Sequence, residues 1–155
     1  MRAIIAMAVA FVGMAAPAWA QQSEQIVVTA TKRGDVVAQD LPMALNVFGA
    51  NDLQARSVED LQSLSYAMPN VQLEDIGTAR GIANFSIRGV GVNSSIASVD
   101  PAVGVFVDGM YVGINAGTLT DAFDLEAIEV LRGPQGTLYG RNVTGGAVLV
   151  RTRAP

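Results

Sequence analysis

The side chains that could do chemistry in this chain are carboxylates and arginines, because its 155 residues contain no histidine and no cysteine. Thiolate metal sites and histidine-based catalytic triads are therefore excluded. Adjacent carboxylates such as Glu74 and Asp75 do acid–base work only where their environments differ strongly, and nothing in the sequence indicates this. Serines are plentiful, but no G-x-S-x-G motif is present. The residue types predict a binding protein with no cofactor and no metal of its own, not an enzyme.

Arginine is concentrated at the end of the sequence. Residues 128–155 read IEVLRGPQGTLYGRNVTGGAVLVRTRAP, with four arginines and no acid after Glu129. Glycines and Pro134 separate the β-type apolar runs 128–130 and 147–150, which predicts two strands joined by a loop. Arginine favours carboxylate partners, and no acid in this segment is placed to meet all four. Either these arginines are solvated on an exposed face, or their carboxylate partners lie elsewhere, which the resemblance described next favours. The glycine spacing of residues 140–146 is that of a phosphate loop, but the Lys-Ser/Thr of such a loop is missing.

This segment resembles the C-terminal half of the plug domain of TonB-dependent outer-membrane receptors. The family pattern IEVLRGPxGxLYGxxxxGGxVxVxTRxP is followed here with its Arg-Gly-Pro, Leu-Tyr-Gly and Gly-Gly in order. Ile87-Arg88-Gly89 and the Val-Asp-Gly at residues 107–109 match two further family features. The resemblance covers nearly all of residues 24–155 and implies a small plug domain.

The N-terminus has the pattern of a secretory signal. Met1-Arg2 gives a short positive start, an apolar stretch follows at residues 3–16, and Ala18-Trp19-Ala20 is an A-x-A cleavage site. We expect residues 1–20 to be removed and the mature chain to begin at Gln21. The formal net charge of −4 makes nucleic acid a poor partner.

Residues 21–40 are mostly polar and predict a flexible tail ahead of a domain at 41–155. Within the tail, residues 24–30 resemble a TonB box, the short segment that pairs edge-on with a strand of TonB. Its members here are Ile26, Val27, Val28, Thr29 and Ala30. β-Branched residues in a free segment suit strand addition. The alternative interpretation is a short first strand of the plug itself.

The remaining pattern predicts an α+β domain with a small mixed β-sheet and two or three short helices. Strands are expected at 42–48, 71–73, 85–89 and 103–107, and helices at 50–56 and 58–68, the second opened by a capping box at Ser57. Asp108-Gly109 predicts a hairpin to Met110-Tyr111-Val112. Residues 74–84 and 90–99 are expected to be loops, and 120–127 a helical turn.

The resemblance places ligand contacts on loops at the extracellular apex. An Arg-Gly before the Ile-Arg-Gly strand makes Arg80 the first candidate for an anionic ligand such as a ferric siderophore. The following loops supply hydrogen-bonding groups at Asn93, Ser94, Ser95 and Asn115. The alternative is that each is an ordinary exposed polar residue.

Two other arginines, Arg88 and Arg132, match positions that pair with glutamates on the inner barrel wall in the family. The resemblance implies that they lock the plug in the barrel, where an unpaired buried charge would be costly. The alternative is a salt bridge within the domain.

The resemblance thus implies a plug that occludes an outer-membrane barrel and gates uptake of a small-molecule ligand, with TonB and the barrel of the same receptor as partners. A barrel is absent from these 155 residues, and we expect the sequence to stop at the plug–barrel junction. The alternative function is a stand-alone periplasmic binding or interaction module. Such a module would be periplasmic, not in the outer membrane.

Overall fold

A computed structural model describes residues 27–28, 30–31, 36–76, 79–94, 96, 98–113 and 124–154. The predicted signal peptide at 1–20 lies outside these residues. Within the described ranges, no helix is both long and apolar enough to cross a membrane.

The domain contains ten strands and two short helices among its described residues. In chain order they are β1 (Val27–Val28), β2 (Val36–Val37), β3 (Ala44–Gly49), α1 (Ala50–Ala55), β4 (Val71–Ile76), β5 (Ala79–Ile87), β6 (Val90–Gly91), β7 (Val103–Val107), β8 (Met110–Val112), β9 (Leu125–Arg132), α2 (Gly136–Tyr139) and β10 (Gly146–Thr152). Single 3-10 turns lie at Ala38–Asp40 and Ser63–Ala67.

Five of the strands form one mixed sheet in the order β3-β9-β10-β7-β8. β10 runs parallel to β7, and the other pairs are antiparallel. Alternate residues of β9 and β10 point to opposite faces, as the two-residue period of a strand requires. Ile128, Val130 and Val148 enter the main core on one face, whereas Leu131 and Ala147 belong to a second apolar cluster on the other. Both faces of the sheet are therefore covered.

The main core lies between this sheet and a second one of order β4-β5-β6. Leu73, Phe85 and Ile87 of the second sheet are buried there with Leu64 from the 3-10 turn. Burial of these side chains supplies most of the drive to fold, at about 25 cal/mol per Å² of apolar surface. The mixed sheets and short helices confirm the predicted α+β fold class.

Two segments differ from their predicted local structure. Residues 58–68 form turns and a 3-10 turn instead of one helix, because Ser57 has φ +51° and does not cap a helix. Asp60 instead accepts a 2.8 Å hydrogen bond from Ser63 N–H. Residues 74–84, predicted as a loop, belong largely to the β4–β5 hairpin. One inward-facing position of this hairpin is Ala83, whose small side chain makes the alternation of apolar and polar residues hard to see in the sequence.

The predicted helical turn at 120–127 is also wrong where it can be compared, since Glu126 and Ala127 lie in β9. Residues 120–123 lie outside the described residues. In contrast, α1 and the hairpin at Asp108-Gly109 are confirmed. Asp108 and Gly109 have φ +48° and +81°, the left-handed pair that a tight two-residue turn requires.

The Asp108 carboxylate joins this turn to the end of β10 and should make stability depend on pH. It accepts hydrogen bonds from Thr152 N–H (2.9 Å) and from the Thr152 hydroxyl (2.8 Å). These bonds, the backbone one first, lower the pKa of Asp108 below the ordinary value of an aspartate. Because the pKa of Asp108 is lower in the folded than in the unfolded state, its carboxylate stabilises the domain at pH values above the unfolded-state pKa. This stabilisation is lost as the pH falls through the folded-state pKa.

We expect the unfolding free energy of Asp108→Asn to fall less than that of wild type between about pH 5 and pH 2. Urea unfolding at each pH would measure this. Glu59→Gln, which removes an exposed carboxylate with no described hydrogen bond or ion pair, is the control. Identical pH profiles for wild type and Asp108→Asn would contradict the assignment.

Candidate functional site

The candidate site lies at the edge of the five-stranded sheet where β9 ends and β7 and β10 begin. Here the 133–145 loop, which joins β9 to β10, folds back on itself. Gly133 N–H donates to Gly145 O (2.9 Å), and Gln135 N–H donates to Val143 O (3.0 Å). Gly145 N–H donates to Ala102 O at 2.8 Å, which ties the loop to the residues before β7. The loop is thus an ordered part of the domain.

Gly145 of this loop is explained by close packing. A Cβ at Gly145 would lie 2.7 Å from Val90 O, in the first residue of β6. Side chains larger than hydrogen are excluded at such a distance. Gly140 has φ +81°, a left-handed conformation that favours glycine. These two glycines therefore have structural roles that need no phosphate.

The N-terminal segment is docked on the second face of the five-stranded sheet. β1 pairs antiparallel with β2, with Val27 opposite Val37 and Val28 opposite Val36. Val28 and Ala30 are both 0% exposed. Ala30 packs in the apolar cluster with Phe106, Leu131, Val143 and Ala147. The described part of the predicted tail therefore agrees with the alternative interpretation, in which this segment contributes a first strand. Ile26 and Thr29 of the predicted TonB box lie outside the described residues.

Tyr139, the last residue of α2, connects the 133–145 loop to this segment. Its hydroxyl donates a 2.7 Å hydrogen bond to Ala30 O. Its ring packs on Phe106 with centroids 4.8 Å apart at 57°. Burial, and next the charge of Glu129, raise the pKa of Tyr139 to about 12. The hydroxyl is therefore a permanent donor near neutral pH.

The two arginines predicted to lock the plug lie at the same edge of the sheet. Arg88 is exposed in the β5–β6 turn with φ +53°, and a Cβ on Gly133 would lie 3.8 Å from its guanidinium. Arg132, at the end of β9, donates to the side-chain oxygen of Asn46. Its Nε is buried and has no hydrogen-bond partner within the part of the chain that the structure describes. Neither arginine forms an ion pair with a carboxylate among the described residues, so the alternative of a salt bridge within the domain is not observed there.

Arg151 and Arg153, in contrast, have acidic partners within the chain. Arg151 lies 3.0 Å from Glu126, and Arg153 lies 3.4 Å from Asp124. Both acids lie outside residues 128–155, as expected for these two arginines, but within the same domain. The reason is the antiparallel pairing of β9 with β10, which brings the acids at the start of β9 beside the end of β10.

The predicted ligand residues are only partly described. Asn93 is exposed after β6, and Ser94 Oγ accepts a 3.2 Å hydrogen bond from Ile96 N–H. The backbone of Arg80 lies in β5, but its side chain is outside the described residues, as are Ser95 and Asn115. Their assembly into one binding site stays a prediction.

Two polar contacts at the site were not anticipated from the sequence. One is the Tyr139–Ala30 hydrogen bond. The other is made by Asn142, whose side-chain amide donates to Asp100 (3.0 Å) and to the Tyr111 hydroxyl (2.9 Å). Leu138-Tyr139-Gly140 is prominent in the sequence pattern, yet the pattern gives no sign of its partner. No group of three or more potential metal ligands occurs in the part of the chain that the structure describes.

Comparison with known proteins adds independent information. The family model of the TonB-dependent receptor plug domain matches residues 37–147. The chain is 32% identical over 135 residues to the pesticin receptor of Yersinia pestis, covering 87% of this chain and 20% of the receptor. It is 34% identical over 136 residues to the iron-regulated outer membrane virulence protein of Vibrio cholerae, covering 84% of this chain and 20% of that protein.

A solved structure shows the same fold. The crystal structure of the ferric yersiniabactin uptake receptor from Yersinia pestis superposes with a TM-score of 0.62 at 32% identity. The match covers 73% of this chain and 17% of that receptor. The chain spans about a fifth of the length of the curated relatives that it matches.

Proposed function

The chain belongs to the TonB-dependent receptor plug domain family, and we propose that it closes the barrel of an outer-membrane receptor and gates active uptake of a scarce solute. The observation that carries this proposal is the docking of the N-terminal segment on the 133–145 loop. Ala30 is buried in the apolar cluster with Val143 of this loop, Tyr139 donates a hydrogen bond to Ala30 O, and Val28 is also buried. A short β-forming segment that is outside the five-stranded sheet, held by a two-residue ladder, the Tyr139 hydrogen bond, contacts of Thr31 and a small apolar contact, can be withdrawn without unfolding that sheet.

TonB is the proposed partner of this segment, at Ile26, Val27, Val28, Thr29 and Ala30. The pairing of β1 with β2 extends over only two residues. A strand of TonB could replace β2 and gain a longer ladder, as in other cases of strand addition. Pulling on this segment, driven by the inner-membrane proton gradient, would then be transmitted along the chain to the domain that follows it.

The proposed solute is a ferric siderophore. Relatives are named as a ferric yersiniabactin uptake receptor and as an iron-regulated outer membrane protein. We propose that Arg80 contacts the anionic complex, with hydrogen bonds from Asn93, Ser94, Ser95 and Asn115. An arginine suits such a ligand because it keeps its charge and can donate several hydrogen bonds at once.

Uptake by cells that carry the full-length protein in their outer membrane tests this function. Radioactive iron would be supplied in turn as ferric yersiniabactin, ferripyoverdine and ferrioxamine B. We expect saturable accumulation of iron from at least one complex, lost when the proton gradient is collapsed. Accumulation that is unaffected by collapse of the gradient would rule out a gated, energised plug.

Arg132→Ala in the full-length protein should make the outer membrane leaky. The buried Nε of Arg132 has no hydrogen-bond partner among the described residues, and its guanidinium donates to the Asn46 side chain. If the guanidinium pairs with a carboxylate of the barrel wall, its loss leaves that carboxylate buried and unpaired, which costs about 3–5 kcal/mol. We expect several-fold greater permeation of a large antibiotic that is normally excluded.

Two variants control this experiment. Arg141→Ala removes an exposed arginine of the same loop region, and Asn46→Ala removes only the partner of Arg132 within the domain. Both should leave permeation near the wild-type level. Equal leakage in Arg132→Ala and Asn46→Ala would assign Arg132 to the fold and not to the barrel contact.

A further inference from the structure

The hydrogen bond from the Tyr139 hydroxyl to Ala30 O joins residues 109 positions apart in the sequence. It is 2.7 Å long, the usual length of a bond between a hydroxyl donor and a carbonyl oxygen. It therefore ties the N-terminal segment to the loop that carries the Leu-Tyr-Gly of the sequence pattern. Together with the β1–β2 ladder and the interactions of Thr31, it links residues 27–31 to the rest of the domain.

The position of the Tyr139 hydroxyl is fixed by its surroundings. The ring packs at an angle on Phe106, itself buried in β7. The Tyr139 backbone N–H donates to Gln135 O at 3.0 Å, which closes the turn of α2. Gln135 is bonded in turn to Val143 O. A donor held this firmly loses little side-chain entropy when it binds, so the hydrogen bond contributes most of its strength to docking.

We propose that Tyr139 restrains residues 27–31 against the domain and thereby limits how often this segment is available to a partner strand. Strand addition requires free N–H and C=O groups along one edge of the segment. In the docked state the Ala30 carbonyl is occupied by Tyr139, Val28 is buried, and β2 occupies one edge of β1. The segment must therefore leave before a partner can pair with it. The identity of that partner as TonB rests on the function proposed above.

The size of the effect follows from the strength of one hydrogen bond. A net contribution of roughly 1 kcal/mol means that loss of this bond raises the population of the undocked segment about fivefold. Tyr139→Phe removes the hydroxyl but keeps the ring and its contact with Phe106. Tyr111→Phe is a matched control, because Tyr111 packs on the same ring at 5.3 Å but its hydroxyl accepts from Asn142.

Thiol labelling of the purified full-length protein measures the undocked population. Residues 1–155 have no cysteine, so a single thiol can be placed with Val28→Cys on a background without other reactive thiols. Labelling by a maleimide is expected to be about fivefold faster in Tyr139→Phe than in wild type or Tyr111→Phe. Equal rates in Tyr139→Phe and Tyr111→Phe would overturn the proposal.

Amide hydrogen exchange gives the same information without a substitution at residue 28, in case the cysteine itself loosens the segment. Peptides that contain residues 27–31 should exchange about fivefold faster in Tyr139→Phe. Peptides from β9 and β10 should be unchanged. Faster exchange throughout the domain, or none at residues 27–31, would show that Tyr139 does not restrain this segment specifically.

The affinity for the periplasmic domain of TonB separates this inference from the proposed function. A segment that is available more often binds with a proportionally lower apparent Kd, so Tyr139→Phe should bind about fivefold more tightly. Faster labelling without detectable TonB binding in any variant would support the restraint and contradict TonB as the partner. Tighter binding without faster labelling would overturn the restraint.

Discussion

Val27→Pro in the full-length protein is expected to abolish energised uptake while leaving solute binding intact. Proline removes a backbone N–H and its ring obstructs the close approach of a second strand. If residues 26–30 pair with a strand of TonB, one proline in their centre should prevent that pairing. The solute contacts proposed at Arg80 and in the later loops are remote in sequence and should be unaffected. Uptake of radioactive iron and equilibrium binding of the same complex would be measured in parallel.

Val37→Pro provides the matched control. Val37 is the β2 residue opposite Val27, so proline there disturbs the same short ladder from its other side. Val37 has φ −66°, which is the value that proline adopts, so the substitution causes little strain. We expect Val37→Pro to retain uptake. Loss of uptake in both variants would attribute the effect to the β1–β2 ladder, and unchanged uptake in Val27→Pro would refute the TonB-box assignment.

Gly146→Ala should destabilise the domain more than any other single methyl addition considered. Gly146 begins β10 with φ +153°, and a Cβ there would lie 2.3 Å from Leu131 O and 2.7 Å from Ile87 Cδ1. The first contact is with backbone, which cannot move without disturbing the β9–β10 ladder. Backbone strain and overpacking each cost about 1–3 kcal/mol, so we expect a loss of about 3 kcal/mol in unfolding free energy.

Urea unfolding followed by circular dichroism would measure this loss. Gly136→Ala is the control, since a Cβ at that position meets nothing within 4 Å. Alanine also favours the helix in which Gly136 lies. Its unfolding free energy should stay within about 1 kcal/mol of wild type. A Gly146→Ala variant as stable as Gly136→Ala would mean that the two sheets do not meet as closely as the structure has them.

The sequence predicted the parts of the fold that depend on local chemistry. Asp108-Gly109 between apolar runs specified its hairpin, because few other dipeptides tolerate two left-handed residues. The β-branched runs on either side of the 133–145 loop likewise predicted β9 and β10. These signals need no knowledge of distant residues. The α+β class followed from them and from the absence of a regular alternation of strands and helices.

The errors arose where tertiary packing decides the local structure. The β4–β5 hairpin contains Glu74, Asp75 and several glycines and alanines, which favour a loop when they are considered alone. Its inward-facing Leu73, Phe85 and Ile87 stabilise it as a strand pair only because the five-stranded sheet covers them. A capping pattern at Ser57 failed for the same reason, since packing of Leu61 and Leu64 selects turns over a regular helix.

The candidate site was predictable only in part. The sequence identified residues 26–30 as a segment suited to strand pairing, but not that Val28 and Ala30 are buried in the domain. Two valines and an alanine are too short a pattern to distinguish a free segment from a docked strand. Tyr139 was visible within the Leu-Tyr-Gly of the pattern, whereas its bond to a backbone carbonyl more than a hundred positions away required coordinates.

Because the solute is not identified, the most direct test of the central claim is one that needs no solute. Purified full-length protein would be titrated with the periplasmic domain of TonB, using wild type, Val27→Pro and Val37→Pro. The account predicts saturable binding by wild type and Val37→Pro and none by Val27→Pro. Absence of binding by wild type, or equal binding by all three proteins, would contradict the claim that residues 26–30 engage TonB.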